Sequence, residues 1–485
     1  MRKVLAIDMG ATSIRGIVGF VESEKLITKE VMRMPHELIE INGRRHWQWQ
    51  KIIDKIVETI NSQSDLSSVA CDTWGVDFGI LDQNGQLIET PISYRDSLHN
   101  DGFDKVQEMI DLYDLFELTG NQVMSINSLF QYMALKMHNP EAYEKINTIL
   151  MTPDLIHYLL TGEKYNEMTI ASTSQMFDLT EKKWQTDLLD RLELKSDVFA
   201  PIIKNGEYLG STAKTLLPDL KQKDLKVYSI ATHDTASAVS VTRAFFDPDC
   251  IFLSSGTWSL IGGLSEKPVL IKEAFESDLT NETGFQGQNM FFKNITGLYL
   301  FEKLRDELAL RDGKRLTHQE ADSMTVEAKA FSYFIDVAKY DLDNITVLDT
   351  IHDYIKETNQ TMQQTVGETL HGLYDSMMLG YMKTVEDIER ILNHRFKRIQ
   401  IIGGGSKIAF LNQMIANALN KEVIAGPGEA SGIGNIVGQL LAQGEWNSLE
   451  EAYKTVSDSF EYKHFKPEDN EAWKKRYAEI KHLLV

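Results

Sequence analysis

One turn near the start of the chain, within KVLAIDMGATSIRGIVGF at residues 3–20, gathers an acid, two glycines, two hydroxyls and an arginine. The apolar residues from Val4 to Ile7 predict a buried strand, and Ile14 to Phe20 predict its antiparallel return. Gly10 and Gly16 let backbone approach a ligand closely. Such a turn offers backbone N–H groups and the hydroxyls of Thr12 and Ser13 to phosphate oxygens. Asp8 can hold Mg²⁺, and Arg15 can neutralise a terminal phosphate. A plain hairpin with a polar tip would have the same composition, so the other polar turns must decide.

Three of them follow in order. ATHDTAS at 231–237 sets Asp234 between His233 and Thr235 just after a predicted strand. A carboxylate held there can take the proton of a sugar hydroxyl as the new O–P bond forms. The same Asp could instead N-cap the following helix. SSGTWS at 254–259 supplies hydroxyls and a glycine turn suited to clamping ATP phosphates, with Thr257 foremost, though a simple Ser/Thr-rich turn reads alike. Gly403-Gly404-Gly405-Ser406 lies between a strand and a helix N-terminus, which suits close passage of a nucleotide. DTWGVDFG at 72–79 pairs Trp74 with Gly75 and Asp77, fitting either a polyhydroxylated ligand or a core tryptophan. No Walker A sequence occurs, and Gly432, Gly434 and Gly438 miss the dinucleotide spacing.

The elements that must position these turns alternate between strand and helix, which indicates α/β layers. Strand signals dominate residues 1–100 around a helical stretch at Trp47–Ile60, and residues 104–200 read mostly as helix. A new strand begins at Ile251 after Asp247-Pro248-Asp249, so the domain boundary is expected near 245. Leu370, Leu373, Met377, Tyr381, Val385 and Ile388 mark the apolar face of a long helix. A chain of 485 residues exceeds what one core supports. Its net charge of −21 disfavours a nucleic-acid partner but not ATP, which meets local backbone amides and cations. No stretch reaches the ~18 apolar residues a membrane span needs, and the N-terminus has no export-signal core. Two cysteines outside any metal or redox spacing fit a reducing cytoplasm, so the Asn-x-Thr sequons at Asn281, Asn294, Asn344 and Asn359 are read as chance.

Taken in order, AIDMGATSIRG, DTWGVDFGILD with PISYRDS, ATHDTASAV, FLSSGTWSLIG, NETG, KNITGLYL, IIGGGS and AGPGEASGIGN resemble the FGGY carbohydrate kinases, nearest the members that act on L-rhamnulose. The resemblance runs from residue 4 to about 440. It implies an α/β, two-domain ribonuclease H-like ATPase fold of the sugar kinase, Hsp70 and actin superfamily, with residues 1–245 and 246–485 as the domains and ATP and sugar in the cleft between them. Carried over by position, Ala11, Thr12, Ser13, Ile14 and Arg15 match the ATP phosphate turn, with Asp8 near the metal. Gly75, His233, Asp234 and Thr235 match the sugar site, Asp234 as catalytic base, and Asn294 matches a further sugar contact. Thr257 and Gly404 match ATP contacts. Glu302 stands where the pattern has a glutamine on ATP, and a carboxylate there must turn away from phosphate or be bridged by metal. Asn281-Glu282-Thr283-Gly284 replaces a double-glycine version, and the disulfides of some relatives have no cysteine counterparts.

The implied activity is transfer of phosphate from ATP, with Mg²⁺, to the 1-hydroxyl of L-rhamnulose. The expected partners are the sugar and MgATP, without nucleic acid or membrane, in a monomer or homodimer. A kinase of L-fuculose or L-xylulose is a close alternative. A non-catalytic ATP- or sugar-sensing member is a distant one, since a sensor needs no base beside His233.

Overall fold

A computed structural model describes residues 2–339, 346–361 and 365–484; Asn344 of the sequons lies outside them. The opening hairpin forms as its pattern predicts. Val4–Met9 pairs antiparallel with Ser13–Glu22, from Val4 opposite Gly19 to Met9 opposite Ile14. Val4–Met9 also runs parallel to Ser68–Thr73, which places Asp8 opposite Asp72. A six-stranded sheet results, in the order Tyr208–Ser211, Lys226–Tyr228, Ser68–Thr73, Val4–Met9, Ser13–Glu22, Lys25–Pro35. Its two central parallel strands are buried along their whole length, including the polar Asp8, Ser68, Asp72 and Thr73. On one face Leu5, Ile7 and Val69 join Ile52, Ile56 and Ile60 of the Trp49–Ser62 helix in a common core. The other face carries the Ala430–Ala442 helix, whose Ile436 leaves no room for a side chain at Gly19: a Cβ there would sit 2.5 Å from it.

The chain divides into two compact units. The first comprises Met1–Phe246, Leu264–Phe291 and Glu429–Phe460, and the second Asp247–Gly263, Phe292–Gly428 and Glu461–Val485. The chain first passes between units at 246/247 and returns to the first unit at Leu264 and again at Glu429. The Ala430–Ala442 helix clusters with the first unit because its small residues dock on that unit's sheet. The helical region 104–200 has its own core, built from residues such as Phe130, Tyr132, Ile149 and Leu188.

The second unit repeats the opening logic. Cys250–Ser255 turns into the antiparallel strand Trp258–Ser265 and runs parallel to Arg398–Ile402. They belong to a sheet whose strands in this unit run in the order Trp258–Ser265, Cys250–Ser255, Arg398–Ile402, Glu422–Ala425, Lys463–Phe465. The long helix spans Val366–Ile391, starts in a Thr365/Glu368 capping box and buries all six residues of its apolar stripe.

Candidate active site

In the first unit three turns leave the carboxyl ends of neighbouring parallel strands, where α/β sheets hold ligands. The N–H of Thr73 donates to the carbonyl of Thr232 at 2.8 Å, and that of Trp74 to the carbonyl of Met9 at 3.2 Å, so the Gly10, Gly75 and His233 turns are neighbours. The first turn is tightly held. Its Ser13 carbonyl accepts from the Gly10 N–H, its Thr12 carbonyl from the His36 N–H, and its Gly10 carbonyl lies 3.0 Å from His36 Nδ1. His36 is itself stacked on Trp47, and burial pulls its pKa down to about 4. With three carbonyls engaged, the turn keeps N–H and hydroxyl polarity for an anion, and Thr12 is exposed. Ile14 departs from the expected run: its side chain is fully buried in the core, so it contributes backbone only.

Asp8 is 1% exposed and accepts from Arg15 at 2.7 Å and from Ser431 Oγ at 2.9 Å, both on Oδ2. Its Oδ1 has no partner among the described residues. Arg15 also pairs with Glu429, and its Nε–H is unpartnered among the described residues. Asp72, on the neighbouring strand, accepts from Asn435 Nδ2 at 2.6 Å and likewise leaves Oδ1 unpartnered. Burial and then the adjacent Asp8 charge push the Asp72 carboxyl well above the usual range. An orphaned buried carboxylate oxygen on Asp8 fits a divalent cation. Among the described residues no three acid, histidine or cysteine side chains converge on one point, so such an ion would take its remaining ligands from phosphate and water.

Asp234 opens the short Asp234–Ser240 helix and does not cap it; the N-cap position is His233. Its Oδ1 accepts from Thr235 Oγ1 at 3.2 Å, which uses that hydroxyl's one proton and leaves its lone pairs to accept. Burial lifts the Asp234 carboxyl to about 6, His233 opposing and Asp8 adding to the rise. The turn is anchored by buried Glu167, which accepts from the N–H and Oγ1 of Thr232, and by Thr169 Oγ1, which accepts from the His233 N–H. Gly75 abuts Thr173, whose Oγ1 would lie 3.0 Å from a Cβ. Asp77 is not free for a sugar. It accepts from Trp47 Nε1 at 2.6 Å, Trp74 Nε1 at 2.9 Å and Gln131 Nε2 at 3.1 Å, so the Trp74 motif is core.

The second unit brings Thr257 and Gly404 together. Gly403, at φ 79°, would put a Cβ 2.8 Å from the Ser255 carbonyl oxygen, and Gly405 would put one 2.1 Å from Ser255 Oγ. Gly297 is as tightly packed on the Gly256–Trp258 backbone: a Cβ there would lie 2.8 Å from the Gly256 oxygen. Gly404 remains exposed on this bare backbone surface. Asn294 is half-buried on the strand leading to Gly297. Glu302 binds Arg305, Arg315 and His318, each within 2.9 Å, and although burial opposes it, Arg305 holds its carboxyl below the usual range.

Sequence reasoning quoted the segments holding Asp72, Glu282, Glu429, Ser431 and Asn435 without giving these residues roles. For Glu429, Ser431 and Asn435 the visible signal is the small-residue spacing of AGPGEASGIGN. It puts Gly432, Gly434 and Gly438 at close helix contacts, with Gly432 against Asp8 and Ile17.

Residues 3–239 match the N-terminal domain of the FGGY family of carbohydrate kinases, and residues 251–443 match its C-terminal domain. The chain belongs to this family and is an ATP-dependent carbohydrate kinase with the two-domain α/β sugar kinase fold. It is 34% identical to a rhamnulokinase of Oceanobacillus iheyensis over 94% of this chain and 97% of the relative. It is 35% identical to a rhamnulokinase of Halalkalibacterium halodurans over 97% and 100%. In fold it is similar to a ligand-bound xylulose kinase from Lactobacillus acidophilus, with TM-score 0.81 at 16% identity over 100% of this chain and 98% of that one. It is likewise similar to Plasmodium falciparum glycerol kinase with ADP, with TM-score 0.79 at 16% identity over 100% and 97%.

Proposed function

We propose that this kinase transfers the γ-phosphoryl group of MgATP to the 1-hydroxyl of L-rhamnulose, giving L-rhamnulose 1-phosphate and ADP. The observation that carries the chemistry is the placement of Asp234 on a rigid turn with its carboxyl near 6. At neutral pH such a group is mostly ionised yet basic enough to accept a hydroxyl proton. The choice of sugar rests on the two rhamnulokinase relatives matched across nearly the full chain.

Asp234 accepts the proton from the hydroxyl oxygen as that oxygen attacks phosphorus, and the bond to the departing ADP breaks. His233 and Gly75 line the sugar side, with Asn294 as a further sugar contact. The Ala11–Ser13 amides and hydroxyls, together with Arg15, receive the phosphates, and Thr257 and Gly404 contact the nucleotide. Asp8 would hold the Mg²⁺ that arrives with ATP, and that ion offsets phosphate charge when bound.

No helix among the described residues is long and apolar enough to cross a membrane. Both cysteines, Cys71 and Cys250, are free and buried, and we place the enzyme in a reducing cytoplasm. The test is ADP release coupled to NADH oxidation, with L-rhamnulose, L-fuculose and L-xylulose as acceptors. A kcat/KM for L-rhamnulose well above the other two is expected. A higher value for either alternative would reassign the sugar.

A further inference from the structure

We propose that Glu282 is a positioning residue for phosphoryl transfer, holding the His233 imidazole between two carboxylates and so setting the basicity of Asp234. The inference rests on the reading of Asp234 as the base.

Glu282 Oε2 lies 3.2 Å from His233 Nδ1, and Asp234 Oδ1 lies 3.6 Å from His233 Nε2. The Glu282 and His233 side chains are 8% and 7% exposed, whereas that of Asp234 is 26% exposed. Asp234 is therefore the most accessible member of the trio.

The backbone on both sides of Glu282 is pinned. The Asn281 N–H donates to the Gly120 carbonyl at 2.8 Å, and the Asn281 side chain donates to the carbonyls of Gly120 and Val269. The Thr283 N–H donates to Ser172 Oγ at 2.8 Å. A carboxylate buried this deeply needs a partner, and the His233 ring supplies one.

The charges around the trio decide the sign. His233 faces Glu282, Asp234 and Glu167; burial lowers its pKa, but the acids outweigh burial and the net shift is upward. Asp234 lies within electrostatic reach of His233, Asp8 and Asp72. Lys182 donates to Thr283 Oγ1 at 3.3 Å, one residue from Glu282. A cationic His233 opposes the upward push on Asp234 from burial and from Asp8. Without Glu282 the imidazole would lose its proton more readily, and Asp234 would hold its own proton to higher pH. In the reaction the hydroxyl proton still passes only to Asp234; neither His233 nor Glu282 receives it.

The test compares kcat/KM from pH 5 to 9 for the full-length wild type and Glu282→Gln, with Asp234→Asn as reference. The acid limb of Glu282→Gln is expected to move to higher pH. Its loss at pH 6 should be ~3–10-fold greater than at pH 8, with Glu282→Asp restoring part of the shift. A loss uniform across pH, or no loss, would overturn the inference and assign Glu282 a structural role. Retained kcat in Asp234→Asn would instead overturn the reading of the base. If Glu282→Gln does not fold, NMR titration of the His233 imidazole in the wild type decides: protonation persisting above the usual histidine midpoint supports the inference, and a neutral ring at pH 6 refutes it.

Discussion

Gly434 meets Ser237 so closely that a Cβ on the glycine would lie 2.0 Å from the serine's carbonyl oxygen. This contact joins the Ala430–Ala442 helix to the Asp234–Ser240 helix that begins with the proposed base, and Ser237 Oγ also donates to the Ser431 carbonyl at 3.0 Å. Because Ser431 and Asn435 bind Asp8 and Asp72, one helix contacts both aspartates and the helix that starts at Asp234.

Gly434→Ala should therefore be costly. Alanine gains roughly 1 kcal/mol of helix propensity over glycine, but backbone oxygen cannot move aside as a flexible side chain would, and overpacking costs about 1–3 kcal/mol. A lower denaturation midpoint and a reduced kcat are expected. Gly444→Ala is a poor control because Gly444 has φ 74°; Gly380→Ala, with nothing within 4 Å of its Cβ, is the suitable one. Wild-type midpoint and kcat in Gly434→Ala would show that the helices can be shifted without consequence.

Asp234→Asn should lower kcat by ~10²–10⁴-fold with sugar affinity largely kept. The same substitution should stabilise the protein at pH 7. The carboxyl near 6 in the fold titrates near 3.8 when unfolded. Between those values the folded state holds a proton that the unfolded state has released, so stability falls as pH rises through the window. Removing the ionisable group should gain about 1–3 kcal/mol at neutral pH, with the advantage fading below about pH 4. Urea titrations at pH 4 and pH 7 measure both limbs, and an equal difference at the two pH values would contradict the shift.

Asp77→Ala separates a sugar contact from a core acceptor. It would leave the Trp47 and Trp74 indole N–H groups buried without their acceptor, at about 1–3 kcal/mol for each group. Stability should fall while the KM for sugar in the surviving folded protein stays near wild type. A large rise in sugar KM at unchanged stability would return Asp77 to the binding site.

Arg15→Ala and Glu302→Ala should behave oppositely toward ATP. Arg15 is partly buried beside Asp8 and has an unpartnered Nε–H, so its loss should raise the ATP KM, lower kcat or do both. Glu302 is committed to Arg305, Arg315 and His318 at a partly exposed site, so its loss should leave the ATP KM close to wild type. Initial rates across an ATP series distinguish the two, and an ATP KM raised as much by Glu302→Ala as by Arg15→Ala would restore Glu302 to the nucleotide site.

Local sequence determined the parts whose cause is local. The Val4–Met9 hairpin follows from apolar runs around a glycine turn, the Val366–Ile391 helix from its apolar period, and the position of Asp234 from a strand ending just before small residues. Each depends on fewer than about thirty neighbouring residues, within which periodicity and turn chemistry act directly. Tertiary structure alone decided the rest. It set Asp72 beside Asp8 through parallel strand pairing, Glu282 beside His233, and Ser431 and Asn435 over the two aspartates from a segment more than 350 residues away. It also turned Glu302 onto its arginines and Asp77 onto two indoles. A carboxylate's type does not specify which distant donor it will meet. Burial without water forces each such group to find a partner, and only the path of the folded chain determines which partner is in reach.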